Sequence, residues 1–244
     1  LDGQRTGDDG CGGEVNRSDY RLVLGSRSPR RLELLRQVHP ADLIEVVPPT
    51  STAEAGFAGL HDWPSIEARL LEIAATKCDD VAAQVRGAPS PLSPRGRGAG
   101  GEGADGEATA PIVIAADTVV IVERDRDLHV LGQPPADDSW QDTVRRWFRE
   151  DFAGKTHLVA TALILEHVAS GKRASRVVTS RVTFVADVDR WLDWYLATGE
   201  PCGKAGGYAL QGAGSVFISK VEGSHSNVVG LPLAELLELL AAWS

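Results

Sequence analysis

Pro111-Ile112-Val113-Ile114-Ala115-Ala116-Asp117-Thr118-Val119-Val120-Ile121-Val122 is an almost unbroken run of β-branched and small apolar residues. Such a run reads as a buried central strand of an α/β protein, because a strand covered on both faces loses the polar alternation of a half-exposed one. A carboxylate stands in its middle. An ionised Asp in apolar surroundings is costly unless a cation, a metal or several donors meet it, so Asp117 demands partners from elsewhere in the chain. Two readings stand at this point: an Asp that caps the turn after the strand, and an acid at an active site.

The chain has 244 residues, 43% of them hydrophobic, enough for one large α/β domain or two lobes around a cleft. Its net charge of −9 argues against a nucleic-acid binder and against a surface drawn to anionic membranes, while leaving room for a local basic pocket. Cys11, Cys78 and Cys202 are scattered, without metal-ligand spacing, and fit a reducing compartment. No apolar run reaches the length of a membrane span, and the amino terminus lacks the order of a secretion signal, so the expectation is a soluble cytoplasmic protein.

Upstream of the central strand, residues 1–19 are rich in Gly and Asp without periodicity and read as a disordered extension to a single domain over 20–244. Tyr20 to Gly25 is a short strand. Ser26-Arg27-Ser28-Pro29-Arg30-Arg31 follows, with Ser28 as helix N-cap and Pro29 at the first helical position. Arg30 and Arg31 then fall in the first turn, where the macrodipole disfavours cations and a capping box would want Glu. Free backbone N–H groups, two hydroxyls and two guanidiniums after a strand suit phosphate oxygens; the alternative is pairing with surface carboxylates. Leu43 to Val47 is a second strand, and a loop from Pro48 to about Pro64 carries Glu54. The spacing of Ile66, Leu70, Ile73 and Lys77 predicts a helix from Ser65 with Lys77 on its apolar side. There its ammonium either snorkels to the rim or reaches a phosphate beside Asp117. From about 86 to 110 the sequence is Pro- and Gly-rich and reads as a flexible insertion.

Downstream, a polar turn at 123–127 leads into Leu128-His129-Val130-Leu131 as a hairpin, and Trp140, Val144, Trp147 and Phe148 mark a helix whose aromatics are core. Gly154-Lys155-Thr156-His157 opens a strand to about Leu165, and Arg176 to Val185 returns antiparallel. His157 is read as a structural hydrogen-bonder, with a base as the alternative. Asp187 is expected to cap the helix of Trp191, Leu192 and Tyr195. Lys204, a Gly pair between short strands at 206 and 207, and Gln211 form a second polar cluster, in which the amide of Gln211 can read a base edge. A helix with Leu233, Leu236, Leu237 and Leu240 closes the chain. These pieces predict an α/β protein whose cleft holds Ser26, Arg30, Arg31, Lys77 and Lys204 with the acids Glu54 and Asp117, a set suited to a polyphosphate and a divalent metal.

Five motifs, in order, carry a more specific likeness: Ser26 to Arg31, Ala116-Asp117-Thr118-Val119-Val120, Gly154 to Thr161, Lys204-Ala205-Gly206-Gly207-Tyr208 and Asn227-Val228-Val229-Gly230-Leu231-Pro232. Together they resemble the Maf (septum-formation inhibitor) family of nucleoside triphosphate pyrophosphatases over nearly all of residues 20–244. The resemblance implies a twisted mixed sheet in two lobes flanked by helices, a cleft between the lobes, often a homodimer, and metal-assisted hydrolysis between the α- and β-phosphates. It implies Asp117 as proton acceptor, Ser26, Arg31, Lys77 and Lys204 as substrate-binding residues, and Glu54 with Asp117 as ligands of Mg²⁺ or Mn²⁺. Arg30, Thr118 and Gln211 resemble the specificity set of the dTTP/UTP-hydrolysing branch, and the Trp that precedes the Arg pair in the 7-methyl-GTP branch is absent. Where the family commonly reads Gly-Lys-Pro this chain has Gly132-Gln133-Pro134, which removes a positive charge from the phosphates. That departure keeps open a nucleotide-binding regulator of cell division with weak or no catalysis; a pyrophosphatase of other base preference is a further alternative.

Overall fold

The computed structural model describes residues 20–51, 56–87 and 110–243. The expected extension at 1–19, Glu54, and the greater part of the expected insertion lie outside the described residues.

The central strand is β3, Ile112–Arg124, the longest of seven strands in one mixed sheet. β1 (Leu22–Leu24) and β2 (Ile44–Val46) run parallel beside its first half; β5 (Thr156–His167), β6 (Arg173–Phe184) and β7 (Ile218–Glu222) follow antiparallel on its other edge. β4 (Asp127–Leu131) folds back on the far half of β3 as the expected hairpin. β3 thus shares one edge between two partners. β1 pairs with Ile112 to Ile114 and β4 with Val120 to Arg124, so among the described residues no strand covers 115–119 on that edge. The sheet parts there, with Asp117 at the middle of the gap.

Strand periodicity then decides what each side chain meets. Val113, Ala115, Val119 and Ile121 face the long helix α2 (Trp63–Gly87), packing on Ile66, Leu70, Ala74, Cys78 and Val81. Ile112, Ile114 and Ala116 face the other way, onto α1 (Pro29–Arg36) and α6 (Leu233–Ala241), through Leu34, Leu35, Leu236 and Leu240. Further along that second face, Val120 and Val122 enter a separate aromatic core built of Phe148, Phe152, Phe184, Tyr195 and Phe217. Two cores at opposite ends of β3 on this face, with the edge gap between them, give the sheet its lobes and cleft. The aromatic core draws on α3 (Trp140–Arg146), a π-helical turn at Trp147–Phe152, and α4 (Asp189–Ala197). Trp147 and Phe148 are buried as expected, and Trp140 partly so.

Several boundaries differ from the sequence reading. α2 starts at Trp63 rather than Ser65, because the Asp62 carboxylate accepts the Ser65 N–H at 2.9 Å and caps the helix, and Pro64 is tolerated in a first turn. Asp187 does not cap α4; Val188 is the N-cap residue and offers no side-chain bond. The Gly pair lies in a 3-10 turn, Ala205–Gly207, between α4 and β7 rather than between strands. No helix among the described residues is long and apolar enough to cross a membrane.

Candidate functional site

The gap in the β3 edge opens into a cleft of about 580 Å³. Asp117 projects from the α2 face of β3 and is 8% exposed. Lys77 lies on that same apolar face of α2, one turn from Ile73 and from Val81, and its Nζ donates to Asp117 Oδ1 at 2.6 Å. The two periods, 2 along the strand and 3.6 along the helix, bring together residues 40 positions apart. Asp117 therefore caps no turn, and Lys77 does not merely snorkel.

Thr118, next in β3, points to the opposite face and receives Arg31. The Arg31 guanidinium donates Nη2–H to Thr118 Oγ1 at 3.0 Å, Nε–H to the Gly230 carbonyl at 2.7 Å and Nη1–H to Ser26 Oγ at 3.3 Å. Thr161 donates to the Asn227 carbonyl at 3.2 Å, so the 3.0 Å contact between the two threonines has Thr118 as donor. Gly230 is required for this arrangement. It sits at φ +119°, and a Cβ there would stand 3.3 Å from Thr118 Oγ1 and 3.4 Å from Arg31 Nε.

Ser26 is buried behind the cleft, where its hydroxyl also accepts the Ser28 N–H at 3.1 Å. Ser28 is the N-cap of α1 as expected, yet makes no side-chain cap bond, and it lines the cleft beside Arg30 and Arg31. The helix start keeps its anion-attracting end directed at the opening. No hydrogen bond or ion pair holds Arg30 among the described residues. Lys204 lines the other side; its Nζ donates to the Glu200 carbonyl. Burial, and then the nearby positive charge of Arg30, hold the Lys204 ammonium below its usual pKa. Two cations that repel one another across an opening are the arrangement an anion relieves.

Gln211 and Gln133 both line the cleft. The structure thus gathers Arg30, Arg31, Lys77, Asp117, Thr118, Lys204 and Gln211 into one opening, with Ser26 supporting Arg31 from behind; Glu54 lies outside the described residues. Among the described lining residues, four cations face one carboxylate. No group of three or more His, Cys, Asp and Glu suited to a metal occurs among the described residues.

His157 is a structural group. It is buried in the aromatic core, its Nε2 lies 2.7 Å from Tyr208 Oη, and burial pushes its pKa down to about 3. Two residues had no assigned role in the sequence. Asn227 is fully buried and its amide donates to the Val159 carbonyl and to Ser180 Oγ, tying the short helix α5 (His225–Val229), which Gly230 ends, to β5 and β6. Glu200 organises the loop around Gln211. A polar residue in an otherwise apolar motif was the available signal for Asn227; Glu200 gave none, since its shortest carboxylate bonds are to backbone N–H groups.

Residues 21–243 match the family model described as "Maf-like protein". Over 229 residues the chain is 38% identical to a dTTP/UTP pyrophosphatase of Anaeromyxobacter dehalogenans, covering 90% of this chain and 92% of that protein. It is 34% identical over 226 residues to a dTTP/UTP pyrophosphatase of Myxococcus xanthus, covering 93% and 94%. A dTTP/UTP pyrophosphatase of Carboxydothermus hydrogenoformans is 31% identical over 224 residues, covering 91% and 98%.

Proposed function

The chain belongs to the Maf-like protein family, and from that premise we propose that it is a nucleoside triphosphate pyrophosphatase. In this reading it hydrolyses the α–β phosphoanhydride of dTTP, UTP and modified pyrimidine nucleotides, releasing a monophosphate and pyrophosphate. The observation that carries the reading is the inverted charge of the cleft: four cations and one carboxylate among its described residues, in a protein of net charge −9. A polyphosphate is the ligand such a local field attracts. The base preference is supported by relatives named dTTP/UTP pyrophosphatase and by the presence of Arg30, Thr118 and Gln211 in the same opening.

In this mechanism Asp117 accepts the proton of the attacking water. Arg30, Arg31, Lys77 and Lys204 neutralise the phosphates and stabilise the charge that gathers on the leaving pyrophosphate. Bonds to Gly230, Ser26 and Thr118 hold Arg31 before substrate arrives, so it needs little reorganisation during reaction. Arg30, Thr118 and Gln211 select the base. A divalent cation fits this donor set as one shared with substrate, because Mg²⁺ is commonly held by one or two carboxylates together with phosphate oxygens and waters. Asp117 and Glu54 would hold Mg²⁺ or Mn²⁺, which supplies neutralisation of phosphate charge when bound. The enzyme so read works on the cytoplasmic nucleotide pool as a homodimer.

Gln133 favours a second reading, a nucleotide-binding regulator with little catalysis, since a neutral amide lines the cleft where the family resemblance has Lys. Pyrophosphate release from a panel of pyrimidine and purine triphosphates, with Mg²⁺ or Mn²⁺ and with chelator, separates the two. Metal-dependent release concentrated on dTTP and UTP supports the pyrophosphatase. Tight binding of dTTP without release, unrestored by Gln133→Lys, supports the regulator.

A further inference from the structure

Gln211 reaches the cleft from a turn at residues 208–212, which runs into a 3-10 helix at Ala213–Phe217. An amide that reads a base edge has to be fixed more firmly than such a segment fixes itself. The fixing comes from Glu200. One carboxylate oxygen accepts the Ala213 N–H at 2.7 Å and the other accepts the Gly214 N–H at 2.9 Å. The buried Tyr195 hydroxyl lies 3.3 Å from the second oxygen and 3.0 Å from the Gly207 carbonyl. Gly212 wraps so closely that a Cβ on it would stand 2.3 Å from the carboxylate. On its other side, the Glu200 carbonyl accepts from Lys204 Nζ, and its N–H donates to Thr198 Oγ1 at 3.1 Å.

We propose that Glu200 is the positioning residue of the base-contacting wall: its carboxylate, through the Ala213 and Gly214 N–H groups, sets Gln211. The inference rests on the nucleotide reading above. Glu200 itself does not line the cleft, and its oxygens are engaged by backbone N–H groups and a tyrosine, so it acts through its neighbours. A carboxylate suits the task because charge-assisted bonds to two adjacent N–H groups are directional and stronger than neutral ones. A Gln at 200 can still offer one acceptor oxygen, but its NH₂ meets an N–H, so it retains the function only in part.

The test measures kcat and KM for dTTP, UTP and two purine triphosphates in the wild type, Glu200→Ala, Glu200→Gln, Gln211→Ala and the Glu200→Ala/Gln211→Ala double variant. Glu200→Ala is expected to lower the pyrimidine preference roughly five- to tenfold, to the level of Gln211→Ala, with no further loss in the double variant. Glu200→Gln falls between. A Glu200→Ala protein that melts earlier yet keeps the wild-type preference and KM would overturn the proposal and leave Glu200 as a structural staple. If Glu200→Ala does not fold, Glu200→Gln carries the same comparison, and wild-type values there overturn it. A wild type without pyrimidine preference defeats the dTTP/UTP reading instead. The dTTP KM then decides, since it must rise in Glu200→Ala as it does in Gln211→Ala, with no further rise in the double variant, and an unchanged KM overturns the proposal.

Discussion

The Lys77 ammonium sits 2.6 Å from the Asp117 carboxylate, and both side chains are largely buried, 16% and 12% exposed. Removing one partner of such a pair takes the adjacent opposite charge from the other, whereas removing both charges leaves no charge to compensate. Lys77→Met is therefore expected to lower stability by about 2 kcal/mol, and Lys77→Met/Asp117→Asn to regain most of it. Urea titrations of the three proteins check this. Equal loss in the single and double variants would mean that the loss does not come from the Asp117 charge.

His157 makes stability fall with acid. The unfolded imidazole takes up a proton below its ordinary pKa of 6.5, while the folded one, buried, does so only near 3. Between those values the unfolded state binds more protons, so stability present above pH 6.5 is lost as pH falls through the window, by at most about 1.4 kcal/mol per pH unit from this group. His157→Gln is expected to flatten the acid limb by up to that slope, read as the difference between the two proteins' stabilities from pH 7 to pH 4. Parallel curves would show that His157 is protonated in the fold.

Gln133 lines the same opening as the four cations. Gln133→Lys adds a charge where phosphoryl transfer gains from one, and kcat/KM for dTTP is expected to rise roughly ten- to a hundredfold. An unchanged value would place position 133 away from the phosphates in the complex.

The sequence carried much of this site because its chemistry breaks local rules. Asp117 interrupts an apolar strand, Arg30 and Arg31 occupy a helix start that disfavours them, and Lys77 falls on an apolar face; each anomaly turned out to face the cleft. The fold class followed from β3 itself, since an apolar run of that length needs cover on both faces. What stayed illegible depends on tertiary lengths and on backbone partners. The edge gap at residues 115–119 exists because β1 stops at Leu24 and β4 begins pairing only at Val120, which no local pattern records. The Asp62 cap was missed because Pro64 reads as a loop residue although a first helical turn accepts it. Glu200 was missed because its acceptors serve the N–H groups of Ala213 and Gly214, and any residue type presents an N–H.

The most direct measurement follows the phosphorus products of dTTP with Mg²⁺, for the wild type and Asp117→Asn, with nucleotide binding measured in parallel. The wild type is expected to release dTMP and pyrophosphate, and Asp117→Asn to lose at least about a hundredfold in turnover, with near-normal affinity in both. Release of dTDP and orthophosphate, or full activity in Asp117→Asn, would contradict this mechanism.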